Sequence, residues 1–389
     1  MRERPTLQRA KNGHLPPLIV VAPIEPRTTG NGLAMRVGSI CQAATHLFEP
    51  TVAVFPIAGR MPATARIPGL EVKVFETRGA DGDAVSSAVA AKQLADLLRP
   101  SPGTPVLAIR SYVAPVALAL GEAIGSKWVA ADLDDDDEAF LNSSGDADGA
   151  MRVHELLKAT APRISALSAA SAPEAERISR RHGVEVLTIA NTVAVPAVRP
   201  PHRSGQPTVL FVGNLTYQPN IDAVVRLICE VLPVLRRSTL RQISATVVGP
   251  YNPSGPLGAF DECDGVTLAG FVEDLRMYYR RAGVMVAPIG VAGGTRIKLL
   301  EAFAAGVPVV TTEAGAAGLD VRHGEHLLIG GDPARLGVLA AGILDDPELA
   351  ERISSNAFRF VRECHAPAVA ESQVAELVVK AENVGRPRW

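Results

Sequence analysis

Short apolar, β-branched runs alternate with Ala/Leu-rich stretches along almost the whole chain. That alternation predicts parallel sheets joined by crossover helices. In the first half, strands are expected near Leu18–Pro23, Thr51–Ile57, Glu71–Phe75, Val106–Arg110, Lys127–Leu133, Ile164–Ser168 and Glu185–Ile189. Several are unbroken apolar runs, as strands covered on both faces should be. A proline-rich polar stretch from Val195 to Pro207 can enter neither sheet nor helix and reads as a linker. The pattern then restarts, with strands expected at Thr208–Gly213, Ser244–Gly249, Val266–Ala269, Val284–Pro288, Val307–Thr312 and His326–Ile329. After Asp332 the chain reads as three helices, Pro333–Leu344, Pro347–Cys364 and Pro367–Glu382, each with proline near its first turn.

A chain of 389 residues exceeds one comfortable core, since domains average ~150 residues. The expected organisation is a flexible basic tail over 1–15, a Rossmann-like domain over 16–195, a linker over 196–207, a second Rossmann-like domain over 208–365, and a closing helix over 366–389. Both halves open alike, with a strand running into a loop and a helix. Two doubly wound α/β domains facing one another would leave an interdomain cleft at the carboxyl ends of both sheets, where open α/β folds bind ligands.

Composition narrows the role. Hydrophobic residues at 47% and charged residues at 21% are those of an ordinary folded protein. A net charge of -2 with 4% aromatics offers neither a basic face nor stacking platforms, so a nucleic-acid partner is excluded from the reading. Cys41, Cys229, Cys263 and Cys364 share no metal or disulfide spacing and read as reduced thiols of a cytoplasmic protein. The apolar run Pro16–Ile24 is too short and proline-rich for a signal core or a membrane span. Arg2, Arg4, Arg9 and Lys11 make the tail basic, which allows at most peripheral contact with anionic lipid.

The densest chemistry lies between Ala292 and Val310 (AGGTRIKLLEAFAAGVPVV). A glycine loop, Gly293-Gly294-Thr295, opens a short helix that carries Arg296, Lys298 and Glu301, then stops at Gly306 before a buried strand. Amides at a helix start with cations beside them seat a phosphate-bearing ligand. Arg296 can fork across phosphate oxygens and Lys298 acts as a point charge. Two positions apart on a helix, they do not share a face, so one of the pair can point to solvent. Glu301 follows Lys298 by three positions, which fits either a surface salt bridge or a carboxylate accepting two hydroxyl hydrogens from a ligand. In the first half, Gly30-Asn31-Gly32 and Arg36 follow the opening strand, as a close-approach phosphate loop or a plain surface turn. Neither half has the G-x-G-x-x-G fingerprint, so a nicotinamide cofactor gains no support. The run Asp132 to Glu138 ends a strand, and Asp132 and Asp134 lie nearest its carboxyl edge. It reads as a ligand-facing sheet edge or a solvated acidic turn, with loose Mg²⁺ binding open to it. Arg110 ends another strand, and His323 and His326 have H-x-x-H spacing within what reads as a turn.

The 293–310 segment resembles the signature of the group 1, or family 4, retaining glycosyltransferases of the two-domain GT-B fold. Phe211-Val212-Gly213-Asn214, Val247-Val248-Gly249-Pro250, Gly270-Phe271-Val272-Glu273-Asp274-Leu275 and Asn191-Thr192-Val193 support the resemblance. It implies transfer of a sugar from a nucleotide-diphosphate sugar to the hydroxyl of a saccharide, natural-product or lipid-linked acceptor, with no metal and no other cofactor. It also implies that the last helix crosses back onto the first domain. By the same resemblance, Gly30, Asn31, Gly32, Gly213, Asn214, Phe271, Val272, Gly293, Gly294, Thr295 and Glu301 are candidates for donor binding. Lys298, Arg296, Asp132 and Asp134 are the candidates for the catalytic centre. Core packing is the competing reading for Phe271. The chain departs from the family in holding Gly293 where a first glutamate usually stands, and Asn214 to Asn220 where an arginine and a lysine usually grip the diphosphate. A non-catalytic GT-B subunit or a nucleotide-sugar epimerase on the same framework are therefore the alternative readings.

Overall fold

The computed structural model describes residues 14–28, 32–55, 67, 70–75, 86–201, 207–290 and 297–385. Gly30, Asn31, Gly293, Gly294, Thr295 and Arg296 lie outside the described residues. The chain divides into two compact units, residues 1–191 with 367–389, and residues 192–366. The division falls a few residues ahead of the proline-rich stretch that begins at Pro196.

The first unit opens with β1 (Pro17–Ala22), α1 (Gly32–Ala44), β2 (Glu49–Val54), β3 (Glu71–Val74) and α2 (Ser87–Leu98). It continues through β4 (Val106–Ile109), α3 (Ala114–Ala123), β5 (Val129–Asp132), α4 (Asp137–Ser143) and α5 (Ala147–Thr160). β6 (Ala166–Ala169), α6 (Ala172–His182) and β7 (Val186–Thr188) complete its first stretch. All seven strands are parallel, in the order β3-β2-β1-β4-β5-β6-β7. Val20 pairs with Val52 on one side and Leu107 on the other. Because helices cover both faces, β1 is apolar throughout: Ile19 and Val21 pack towards α2 and α3, Leu18 and Val20 towards α1.

The second unit runs through β8 (Thr208–Val212), α7 (Gln218–Arg226), α8 (Leu232–Ser238), β9 (Ser244–Val248), β10 (Val266–Leu268) and α9 (Arg276–Arg281). It goes on through β11 (Val284–Ala287), α10 (Ile297–Ala304), β12 (Val309–Thr311), α11 (Glu313–Ala316), β13 (Leu328–Ile329), α12 (Pro333–Asp345) and α13 (Pro347–Cys364). Its parallel sheet has the order β10-β9-β8-β11-β12-β13, so strand order reverses between β8 and β11. In the first unit the reversal falls between β1 and β4. The chain ends in α14 (Pro367–Val384), whose Ala370, Val374, Leu377 and Ala381 join the first unit's core beside Val37 and Ile40 of α1. No helix among the described residues is long and apolar enough to cross a membrane.

Helix ends follow local chemistry. Ser171 caps α6: its Oγ accepts from Glu174 N at 3.4 Å, and its hydroxyl donates to Glu174 Oε2 at 2.7 Å. Gly183 then closes α6 at a φ of 66°, which L side chains adopt only with strain. Asp332 and Asp346 cap α12 and α13 directly before Pro333 and Pro347.

One charged pair is sealed inside the first unit. Arg36 of α1, 1% exposed, forks onto Asp132 at the end of β5, with Nε to Oδ2 at 3.0 Å and Nη2 to Oδ1 at 2.6 Å. Its third nitrogen donates to the Ile189 carbonyl and, at 3.4 Å, to Asn191 Oδ1. Ser168 Oγ donates to Asp132 Oδ1 at 2.8 Å. The guanidinium offers nothing to a ligand phosphate, because burial required an internal partner for every face of the charge. It ties α1 to the ends of β5 and β7. Removing one partner leaves a buried charge uncompensated, so Arg36→Met should cost about 3–5 kcal/mol in chemical denaturation. The double variant Arg36→Met/Asp132→Asn should recover part of that loss, and an equal loss in both variants would show that the charge itself is not what matters.

Candidate functional site

The second unit's most organised polar cluster stands at its strand-order reversal. β8 runs on into Gly213 and Asn214, and α10 begins beyond the end of β11, so both converge on the switch-point position of an open α/β sheet. Lys298, in the first turn of α10, donates from Nζ to Asn220 Oδ1 at 2.7 Å. The ammonium also sits 4.5 Å from the centre of the Phe211 ring. Asn220 is itself held, since its Nδ2 donates to the Asn214 carbonyl at 2.8 Å. A Cβ on Gly213 would lie 2.9 Å from Lys298 Nζ and 3.2 Å from Asn220 Cγ. Glycine at 213 therefore makes room for the ammonium, while its own N–H is spent on the Val248 carbonyl at 3.0 Å. Gly249 repeats the device one strand over: at a φ of 149° it lets the chain pass where a Cβ would meet Gly213 O at 1.7 Å.

Asn214 acts locally. Its Oδ1 accepts from Thr216 N at 3.0 Å and Thr216 Oγ1 at 2.8 Å, which shapes the turn into α7. Glu301, one turn after Lys298, accepts from the buried Tyr279 hydroxyl of α9 at 3.1 Å. Burial pushes its carboxyl up to about 7, against the opposing pull of Tyr279 and Lys298. Near neutrality it is thus poised between a neutral form and a carboxylate able to accept two hydroxyl hydrogens. Phe271 follows β10 and is 58% exposed, so it does not serve the core, whereas Val272 packs partly against it.

In the first unit, the acidic run after β5 is paired rather than solvated. Arg110, after β4 with a φ of 85°, bonds Asp134 Oδ2 at 3.1 Å, Asp135 Oδ2 at 3.2 Å and Asp137. Asp136 caps α4 and is clasped by Arg177 at 3.2 Å and Arg181 at 2.8 Å, which holds its carboxyl below the usual range. Asp132 is fully buried against Arg36. Asp134 has a φ of 62° and is 5% exposed; burial and the neighbouring Asp135 push its carboxyl up to about 8. Gly32 opens α1 and is exposed. His323 and His326 spend their Nδ1 atoms on the backbone amides of Ile329 at 2.8 Å and Arg322 at 3.1 Å, as expected of a turn and not of a metal pair.

Three partners escaped the sequence reading: Asn220 and Phe211 under Lys298, and Tyr279 behind Glu301. Asn220 lies in the first turn of α7 directly after β8, a position that could have flagged it. Nothing in the spacing marks Tyr279, which comes from a different crossover. Asp134 generates a testable outcome. Its native carboxyl titrates near 8 and its unfolded one near 4, so the native state holds the extra proton between those values and loses stability as pH rises through them. Asp134→Asn, which tolerates the positive φ, should flatten that decline in a pH series of thermal melts. A slope identical to the parent's would contradict the assignment.

Residues 206–346 match the family described as glycosyl transferases group 1. No curated protein matches the chain. Among solved structures, it is similar to a sucrose-phosphate synthase from Thermosynechococcus elongatus (TM-score 0.71, 16% identity, 94% of this chain and 98% of that one). It is also similar to Anabaena HepE in complex with UDP (TM-score 0.70, 15% identity, 94% and 100% of the two chains). A third likeness is to the lipopolysaccharide outer core galactosyltransferase WaaB in its apo form (TM-score 0.64, 14% identity, 93% and 99%). The chain therefore has the GT-B fold of two Rossmann-like units, and the second of them carries the match to the group 1 glycosyl transferases.

Proposed function

We propose that the chain is a glycosyltransferase that moves a sugar from a nucleotide-diphosphate donor to an acceptor hydroxyl with retention of configuration. The observation that carries this reading is the Lys298 ammonium held by Asn220 and Phe211 at the reversal point of the second sheet, one turn from Glu301. The departing nucleoside diphosphate carries two to three negative charges, and fixed donors in a closed site meet them most effectively. Lys298 supplies a whole charge, and the start of α10 adds its dipole on the same side. Glu301, ionised, accepts from the ribose hydroxyls, and exposed Phe271 offers a face to the base.

In the transfer itself, the bond from the anomeric carbon to the diphosphate oxygen breaks as the acceptor oxygen bonds to that carbon. The acceptor proton passes to the departing phosphate on the same face, so no protein nucleophile is needed. Catalysis then rests on positioning and on charge stabilisation in the transition state. Asp132 serves as a positioning residue through Arg36, and Asp134 as a neutral group beside Arg110. The UDP held by HepE and the sugar transfer named for WaaB make a nucleotide sugar and a saccharide acceptor the first pair to test. The diphosphate's charge is met here by the chain's own groups, with no metal assigned to it.

Lys298→Ala should lower kcat by at least ~100-fold while raising donor KM far less, the mark of an interaction felt chiefly in the transition state. Steady-state kinetics with the best donor from a panel of nucleotide sugars reads this out, and an unchanged kcat would remove Lys298 from the centre. Glu301 sets a pH dependence. Nucleoside diphosphate affinity, measured by calorimetry, should rise as pH increases through about 7, where the carboxyl ionises. Glu301→Gln should abolish that part of the rise. Without ligand, the native state's retained proton makes stability fall between about 4 and 7, so Glu301→Gln should exceed the parent's stability at pH 8. Parallel affinity curves for parent and variant would refute the ribose role.

A further inference from the structure

Away from the sheet ends, three helices of the first unit bring two imidazoles and a carboxylate to one point. Glu138 lies in α4, His154 in α5, and His182 is the last residue of α6. His154 Nδ1 stands 3.3 Å from Glu138 Oε2, and His182 Nε2 stands 3.2 Å from the same oxygen. All three ligand atoms lie within 4.8 Å of one another. The two rings face each other with centroids 5.0 Å apart.

Hydrogen bonding alone accounts poorly for this arrangement. Arg181 Nη1 also approaches Oε2, at 3.3 Å, so three donors converge on one carboxylate oxygen with two lone pairs. None comes as close as a charge-assisted hydrogen bond, at about 2.7–2.9 Å. The separations instead suit coordination. Zinc bound at about 2.0–2.2 Å by nitrogen and oxygen in a tetrahedron sets ligand atoms about 3.3–3.5 Å apart. Two edges of that tetrahedron are already present, and the two ring nitrogens that make the third lie within 4.8 Å of each other.

We propose that Glu138, His154 and His182 form a zinc site that pins α4, α5 and α6 together. The surroundings accept the charge. Arg181 is already forked by Asp136 at 2.8 and 3.3 Å, so its pairing survives when the metal takes Glu138. His182 lies buried with its Nε2 turned to the shared carboxylate oxygen. Its place in the last turn of α6 sets the cation against the negative end of the helix dipole. The His182 and Glu138 side chains are 3% and 11% exposed while His154 is 37% exposed, which leaves water to complete the shell from the His154 side. The consequence is structural: α4 begins where the acidic turn ends, so the metal fixes Asp134 to Asp137 against Arg110.

The test uses the full chain without an affinity tag, stripped with chelator. Titration with zinc chloride should show one ion per chain, and cobalt(II) should give the visible absorption of a four-coordinate ion. His154→Ala and His182→Ala should each weaken zinc by at least ~10-fold, since loss of a direct ligand exceeds loss of an outer partner. Circular dichroism establishes that both variants are folded, and exposed His154 is the safer of the two. His46→Ala, altering a histidine paired with Glu371 at the surface, should bind as the parent does. Zinc should raise the melting temperature of the parent and of His46→Ala, and not of the other two variants. Absence of a stoichiometric ion, or equal binding by the parent and both site variants, would overturn the proposal.

Discussion

The contact between Lys298 and Asn220 organises the second unit's chemistry. A lysine ammonium on a flexible stem is a poor catalytic group until something fixes it. Here the amide oxygen of Asn220 takes one of its donors, the Phe211 ring lies under it, and glycine at 213 leaves space for its approach. The three partners come from a strand, the turn after it and the helix that follows. Their meeting is a consequence of strand order: β8 and β11 are adjacent, yet their crossovers leave in opposite directions. That divergence sets the cation at the switch point, where open α/β sheets bind their ligands. In the loop after β8, Asn220 holds Lys298 and is itself fixed by the Asn214 carbonyl.

The first unit manages charge differently. The acids from Asp132 to Asp137 are each compensated by an arginine from another element: Arg36 of α1 for Asp132, Arg110 after β4 for Asp134, Asp135 and Asp137, and two arginines of α6 for Asp136. The result is a rigid sheet edge and not an open acidic turn. Such pairs add little net stability over an apolar core, but losing one member is costly, so they fix the geometry of the strand ends. Asp134 is the exception, because burial first and the neighbouring Asp135 second push its carboxyl up against the pull of Arg110 and Arg36.

What the amino-acid order disclosed follows from range. The inner strands β1, β4 and β11 were legible because helices cover both sheet faces there, and continuous burial demands continuous apolar sequence. Pro333, Pro347 and Pro367 marked helix starts because a missing N–H costs nothing there. Lys298 and Glu301 were legible from a local signature. Their partners were not, since Asn220 and Tyr279 reach them only after the sheet is assembled. Arg36 could not be read as an internal ion pair, because Asp132 lies 96 positions away and only the adjacency of α1 and β5 joins them. The same holds for Glu138, His154 and His182, whose separation in sequence resembles no metal-ligand spacing.

On the proposed reading, an anionic diphosphate rests against Lys298. Calorimetric comparison of a nucleoside with its diphosphate, in the parent and in Lys298→Ala, tests it most directly. The parent should prefer the diphosphate by at least tenfold, and the variant should lose most of that preference while keeping its affinity for the nucleoside. An undiminished preference in the variant would place the phosphates elsewhere and contradict the account.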